Sequence, residues 1–288
     1  MKDVSILFLS IFLESLPFLL LGSFLSAIIE TFISDETMEK LIPKNAFLGS
    51  IVGVFLGFLI PACDCAVIPV AKRLIKKKVP INVAVSFMLA SPIINPVVLL
   101  STYYAFYNNN PNIFWGRFIL GIVLSLLIGL IMGIWFQGEE VTKDHTECHC
   151  HHSSKNKFLQ IMHHTLNDLF EVVKYLMFGA LIASVIQVYL PRSLFTLFQN
   201  NTILSVFVLM VFAYLVSLCS TSDSFVGRTL LSSFSRTSVL AYLLLGPMID
   251  IKNTIVLFGN YKKSFVITLL VCIFVSVFVS TLLIGGIL

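Results

Sequence analysis

Along this chain, apolar runs of membrane-crossing length alternate with short polar stretches. The runs fall at about 4–33, 45–61, 80–106, 113–136, 168–190, 202–218, 238–258 and 264–288. A hydrocarbon layer about 30 Å thick needs roughly 20 apolar residues in a helix, and windowed hydropathy counts eight such segments here. Unpaired backbone groups are not tolerated in hydrocarbon, so each run is expected to be helical. The first run extends from Val4 to about Ile33, long enough to span rather than to be removed as a signal peptide. The pattern predicts an all-α polytopic membrane protein with about eight transmembrane helices.

The polar residues that interrupt these runs occur twice. Glu14 with Gly22 returns as Glu171 with Gly179, an offset of 157 residues. Pro61-Ala-Cys63-Asp64-Cys65, with Lys72 nine residues after the first cysteine, returns as Ser217-Leu-Cys219-Ser220-Thr-Ser-Asp223 with Arg228, an offset of 156. Ser91-Pro92-Ile-Ile-Asn95 returns as Gly246-Pro247-Met-Ile-Asp250, an offset of 155. Three matches in one order predict two four-segment repeats, residues 1–137 and 158–288, joined by a linker at 138–157. Carriers are commonly built from such repeats, with broken helices at a central site. Four crossings per half make the halves parallel; if the stretch from Ala66 to Lys76 re-enters the membrane, the count becomes odd and the repeat inverted.

Composition agrees with the pattern: 57% of residues are hydrophobic, 12% are charged, and mean hydropathy is +0.95, outside the range of soluble domains. The formal charge of +4 is a topology signal and implies no nucleic-acid partner. With eight crossings, 11 cations (Lys2, Lys72, Arg73, Lys76, Lys77, Lys78, Lys143, Lys155, Lys157, Arg228, Arg236) share a side with the linker and both termini. Six (Lys40, Lys44, Arg117, Arg192, Lys262, Lys263) fall opposite, and Lys174 and Lys252 stay inside spans. The positive-inside rule then places termini and linker in the cytoplasm.

Ionisable groups inside spans are costly, so each needs a reason. Glu14 and Glu171 are candidates for proton coupling; the structural alternative is an (i, i+3) pair of Glu171 with Lys174. Pro61 and Pro69 bracket Cys63-Asp64-Cys65, and each removes an amide donor, which predicts an opened backbone between them. Two thiols beside a carboxylate form a soft-and-hard ligand set for a thiophilic solute, and Cys219, Ser220 and Asp223 extend it from the second half. Buried cysteines can equally be small apolar packing residues, the reading preferred for Cys272. The second break, around Asn95 and its counterpart Asp250, is expected to place half-helix ends and freed carbonyls at the site, or else to be a packing kink. Lys72 and Arg228 are candidate gating residues, against the plainer reading as snorkelling anchors.

The linker carries His145, Cys148, His149, Cys150, His151 and His152. Imidazoles and thiols this dense are good ligands for zinc or copper, although C-x-C-H-H is no zinc-finger spacing. No cofactor is otherwise required.

Pro61-Ala-Cys-Asp-Cys, Ala90-Ser-Pro-Ile-Ile-Asn-Pro96 and Ser217-Leu-Cys-Ser-x-Ser-Asp223-Ser-Phe225 together resemble the family of predicted bacterial permeases that includes the organoarsenical efflux permeases. The resemblance runs through both halves and implies an inner-membrane permease without fixing its substrate. The sequence thus predicts a non-enzymatic secondary permease for a thiophilic solute, a trivalent arsenical or soft metal ion, driven by protons. Two alternatives stand beside it: a membrane subunit of a metal-import complex, with a membrane or extracytoplasmic partner, and a thiol-redox or metal-transfer enzyme. No P-loop supports primary pumping, and C-x-C lacks the spacing of thioredoxin-like chemistry.

Overall fold

A computed structural model describes residues 2–32, 43, 45–60, 62–107, 110–137, 141–143, 157–189 and 201–285. The described chain is all-α. The first half supplies α1 (Lys2–Phe32), α2 (Ala46–Leu59), α3 (Asp64–Lys76), α4 (Ile81–Ile94), α5 (Pro96–Phe106) and α6 (Pro111–Trp135). The second supplies α7 (Lys157–Tyr189), α8 (Thr202–Val216), α9 (Ser222–Leu230), α10 (Arg236–Met248), α11 (Ile251–Asn260) and α12 (Lys263–Ile284).

Among the described residues, six segments are long and apolar enough to cross a membrane: α1, α4 with α5, α6, α7, α10 with α11, and α12. The runs expected at 45–61 and 202–218 become α2 and α8, of 14 and 15 residues. At 1.5 Å per residue these reach about 21–23 Å, short of the roughly 30 Å layer. They enter the bundle and turn back. Asn82 at the start of α4 donates to Ala46 O (2.7 Å) and Ser50 Oγ (3.1 Å) at the start of α2. Ser91 near the end of α4 donates to Ile60 O (3.2 Å) and Ala62 O (3.3 Å) past the end of α2. Since α2 and α4 run parallel, the chain between them must return, and α3 is that return. In the second half, Ser205 of α8 lies 2.6 Å from Ser238 of α10, and α9 returns in the same way. Of the eight expected crossings, six have helices of spanning length among the described residues, and the other two runs each begin a re-entrant helical hairpin.

The two halves run in opposite senses. Gly133 of α6 lies against Asn82 and Gly121 against Ile93, so α6 is antiparallel to α4. Gly116, near the start of α6, lies against Leu240 of α10, so α10 begins at the end of the bundle where α4–α5 finishes. Gly285, past α12, returns to Thr237 at that same end. The opposite end carries Thr142, in a bridge with Tyr261, and therefore the linker. The outer ends of α1 and α12 consequently lie at one end of the bundle and the linker at the other. Halves in opposite senses match the alternative in which the stretch from Ala66 to Lys76 turns back: with an odd number of long helices per half, the outer ends of α1 and α12 fall opposite the linker rather than beside it.

At the centre, α4 and α10 are buried along almost their whole length. Lipid offers no hydrophobic drive between helices, so close packing has to supply the attraction. Small residues permit it: a Cβ on Gly57 of α2 would sit 2.8 Å from Ser91 N of α4. Other pairings cross between the halves. At the linker end α3 packs on α11, at the other end α9 packs on α5, and the long helices α1 and α7 pack on each other.

Candidate functional site

Four half-helices start in the middle of the bundle, and their first residues explain why. Asn95, at the end of α4, accepts from Val97 N (2.9 Å) and caps α5. Asp250 does the same for α11, accepting from Asn253 N at 2.6 Å. Pro92 and Pro247 lie inside the preceding helices, two residues and one residue before those helices end. Cys63 is the N-cap residue of α3 with Asp64 in its first turn, and Asp223 occupies the first turn of α9. Carboxylates at helix N-termini complement the positive end of the macrodipole, each worth about 0.3–1 kcal/mol. Pro69 bounds no break, contrary to expectation; it sits buried within α3, where its missing amide leaves the Cys65 carbonyl free. Pro61 lies outside the described residues. The second-half break turns on Ser217, whose φ of 48° and ψ of 49° are left-handed. That is a costly conformation for a residue with a Cβ and tends to mark functional turns.

These breaks open a cleft lined by Ile11, Glu14, Ser15 and Phe18 of α1, Cys63, Asp64 and Cys65 of the first hairpin, Ser217, Leu218 and Cys219 of the second, and Lys252 of α11. Counting space open to the outside, it spans about 400 Å³. Its polar wall is an ion cluster. Lys252, 3% exposed, places Nζ 3.5 Å from Asp64 Oδ2 and 3.4 Å from Asp250 Oδ2. Asn253 holds both acids, donating from Nδ2 to Asp64 Oδ2 (2.8 Å) and from its backbone to Asp250, while its Oδ1 accepts from Cys65 Sγ (3.3 Å). Ser217 Oγ is buried on the cleft wall without a hydrogen-bond partner. Cys63, Cys65 and Cys219 are free thiols. Among the described residues no three His, Cys, Asp or Glu side chains are arranged to hold a metal ion.

A second polar cluster sits toward the other end of the bundle. Arg117 of α6, fully buried, donates to Thr102 Oγ1 (2.8 Å), Ser224 Oγ (2.8 Å) and Ser220 O (3.3 Å), tying α5, α6 and the α9 turn together. Beside it Asp223 accepts from the Tyr242 hydroxyl at 2.9 Å.

Of the residues singled out in the sequence, Cys63, Asp64, Cys65, Cys219 and Glu14 come together in the cleft. Glu14 is exposed on its rim. Asp250 stands behind Lys252, Asn95 is a helix cap, and Ser220 and Asp223 belong to the arginine cluster rather than the cleft. Lys72 is buried and donates to Asn260 (3.0 Å), whereas its counterpart Arg228 is exposed, so the matched cations have unlike surroundings. The Glu171 side chain and the linker residues His145, Cys148, His149, Cys150, His151 and His152 lie outside the described residues. Sequence reasoning passed over Lys252 as a span cation and counted Arg117 as a topology charge. A lysine two residues from Asp250 in an apolar run was the available signal.

The family model described as a predicted permease, ArsP_1, matches residues 1–286. The UPF0718 protein YcgR of Bacillus subtilis is 39% identical over 283 residues, covering 97% of this chain and 96% of the relative. A Streptococcus mutans protein, provisionally named a two-component membrane permease complex subunit, is 36% identical over 264 residues, 91% of this chain and 88% of the relative. The UPF0718 protein YraQ of Escherichia coli is 24% identical over 119 residues, 40% of this chain and 32% of its own length. No solved structure matches.

Proposed function

This chain belongs to the ArsP_1 family of predicted permeases, and we propose that it is a secondary permease whose cargo, a thiophilic solute, binds in the central cleft between two inverted repeats, residues 1–137 and 158–288. One observation carries the proposal: Cys63 and Cys65 from one re-entrant hairpin and Cys219 from the other line a single cleft. Thiols at a helix break, beside the free carbonyl of Cys65 and the unpartnered Ser217 hydroxyl, suit a soft electrophile that exchanges a proton for a sulfur bond. The proposed cargo class is a trivalent arsenical or a soft metal ion, both of which bind thiolates. Glu14, on the rim, is the proposed proton acceptor; Lys252 offsets one of the two charges of Asp64 and Asp250. The Cys/His linker is proposed to bind zinc or copper as a regulatory element outside the transport path. Lys72 and Arg228 are kept as anchors at opposite ends of the bundle.

Cation counting supports an orientation. Among the described residues, nine Lys and Arg fall at the linker end (Lys72, Arg73, Lys76, Lys77, Lys78, Lys143, Lys157, Lys262, Lys263), against Lys2, Arg228 and Arg236 at the other. The positive-inside rule assigns the linker end to the cytoplasm and the outer ends of α1 and α12 to the opposite side. The asymmetry is stronger than eight crossings would give.

A second reading, suggested by the name of the Streptococcus relative, makes this chain one subunit of a two-component permease. The test for both is flux of methylarsenite, arsenite, zinc, copper(I) and cobalt in vesicles from cells with and without the chain, expressed alone or with genes neighbouring its own. The proposal expects chain-dependent flux of a thiophilic solute that the Ser variants of Cys63, Cys65 and Cys219 abolish. Flux that ignores those cysteines overturns the cargo assignment, and flux only with a neighbouring gene product establishes the two-component form.

A further inference from the structure

The long helices α1 and α7 rest on one of two equivalent surfaces. The match of Cys63 with Cys219 makes α3 the counterpart of α9, and the caps Asn95 and Asp250 make α5 the counterpart of α11. The pair α3–α11 at the linker end is therefore repeated as α9–α5 at the other end. Among the described residues, only the first is covered by the long helices. Gly22 of α1 sits on Ala66 of α3, so that a Cβ there would lie 2.7 Å from Ala66 O. Gly179 of α7 sits on Lys252 of α11 with a corresponding distance of 2.9 Å. These two glycines are themselves a matched pair in the sequence.

By the same offsets, the counterpart of Ala66 is Ser222 and that of Lys252 is Val97. Ser222 is exposed, and Val97 is 55% exposed. Neither α1 with α5 nor α7 with α9 packs as α1 packs on α3 and α7 on α11. Burial along α1 is divided accordingly: Leu19 and Ala27, toward the linker end, are fully buried, whereas Ile6, Leu9 and Leu13 are 67%, 53% and 56% exposed. The division falls beside Glu14 and Phe18, where α1 forms the cleft wall.

We infer that α5 and α9 form a second seat for the α1–α7 pair, and that transfer of the pair between the two seats changes which end of the bundle the cleft opens to. Two seats built from the same elements in opposite senses differ little in backbone geometry, the condition under which two states of one chain are both populated. Small residues at the contact points, Gly22, Gly179, Ala66 and Ser222, let either seat accept the pair. The consequence for access rests on the permease reading; the second seat does not.

Lipid covering Val97 and Ser222 is the competing account, and cross-linking separates the two. A photoreactive benzoylphenylalanine is placed at Val97 in the full chain, irradiated in native membranes, and its adducts are mapped by mass spectrometry. The second seat predicts intrachain adducts to α1 around Gly22. Ala66→Leu, which obstructs the first seat, should raise their yield several-fold, and Ser222→Phe, which obstructs the second, should lower it several-fold. Ser222 is exposed, so Ser222→Phe is compatible with the fold seen here and keeps the test decisive if Ala66→Leu fails to assemble. Adducts to lipid alone, or a yield to α1 unchanged by Ser222→Phe, overturn the inference. Because this readout needs no cargo, adducts without flux of any solute would sink the permease reading while leaving the second seat standing.

Discussion

Replacing Lys252 with Met tests whether the cleft wall is an obligatory ion cluster. The ammonium stands 3.5 Å from Asp64 and 3.4 Å from Asp250. At an effective dielectric of about 20, each attraction is worth about 5 kcal/mol. Removing the ammonium also removes its own desolvation cost, and breaking one partner of a buried pair nets about 3–5 kcal/mol. Here the lower end applies, about 3 kcal/mol, because each carboxylate keeps a hydrogen bond from Asn253. At about 2–4 °C per kcal/mol, the midpoint should fall by roughly 6–12 °C. The assay is thermal unfolding of detergent-purified protein followed by size-exclusion fluorescence at a fixed heating rate, since such unfolding is commonly irreversible. Adding Asp250→Asn lowers the uncompensated charge by one, so the double variant should recover about half of the loss and remain about 1.5 kcal/mol below the parent. A midpoint shift below about 2 °C for Lys252→Met, or a double variant as damaged as the sum of the singles, would refute the reasoning.

Arg117→Met leaves Thr102, Ser224 and the Ser220 carbonyl without their shared donor, and should cost about 3 kcal/mol or more in the same unfolding assay; a neutral result would mean that the arginine does not hold α5, α6 and α9 together. Glu14→Gln keeps the shape of the cleft rim and removes its proton acceptor, so net flux should lose its dependence on pH while exchange of bound cargo survives; an unchanged pH profile removes Glu14 from the coupling. Deleting His145 to His152 should alter the response of transport to zinc or copper and leave maximal flux within about twofold, whereas complete loss of flux in a correctly inserted variant would put the linker in the transport path.

Much of the architecture was legible in hydropathy and in the offset matches. Asn95 and Asp250 were marked as breaks, and both cap a half-helix there. Hydropathy could not tell α2 and α8 from crossing helices, because apolar composition is the same for a helix that spans and one that stops halfway among other helices. Length could: the helical portions are 14 and 15 residues, and Gly49, Gly53 and Gly57 announce a face pressed against another helix. Counting both as crossings is what put the termini on the linker's side. At the site, the cysteines were evident because thiols flanking a carboxylate are unusual in a span. Lys252 and Arg117 were missed because a single cation in an apolar run does not name its partner; Asp64 is 188 positions from Lys252, and Ser224 is 107 from Arg117.

Cross-linking of the cleft thiols in the native membrane is the most direct test of a cargo seat built from both halves. A short bifunctional thiol reagent should join Cys63 or Cys65 to Cys219 within one chain, and the transported solute, added first, should suppress the reaction in proportion to its occupancy. Failure to join them under any condition, or joining that the solute leaves unchanged, would contradict a seat shared between the two hairpins.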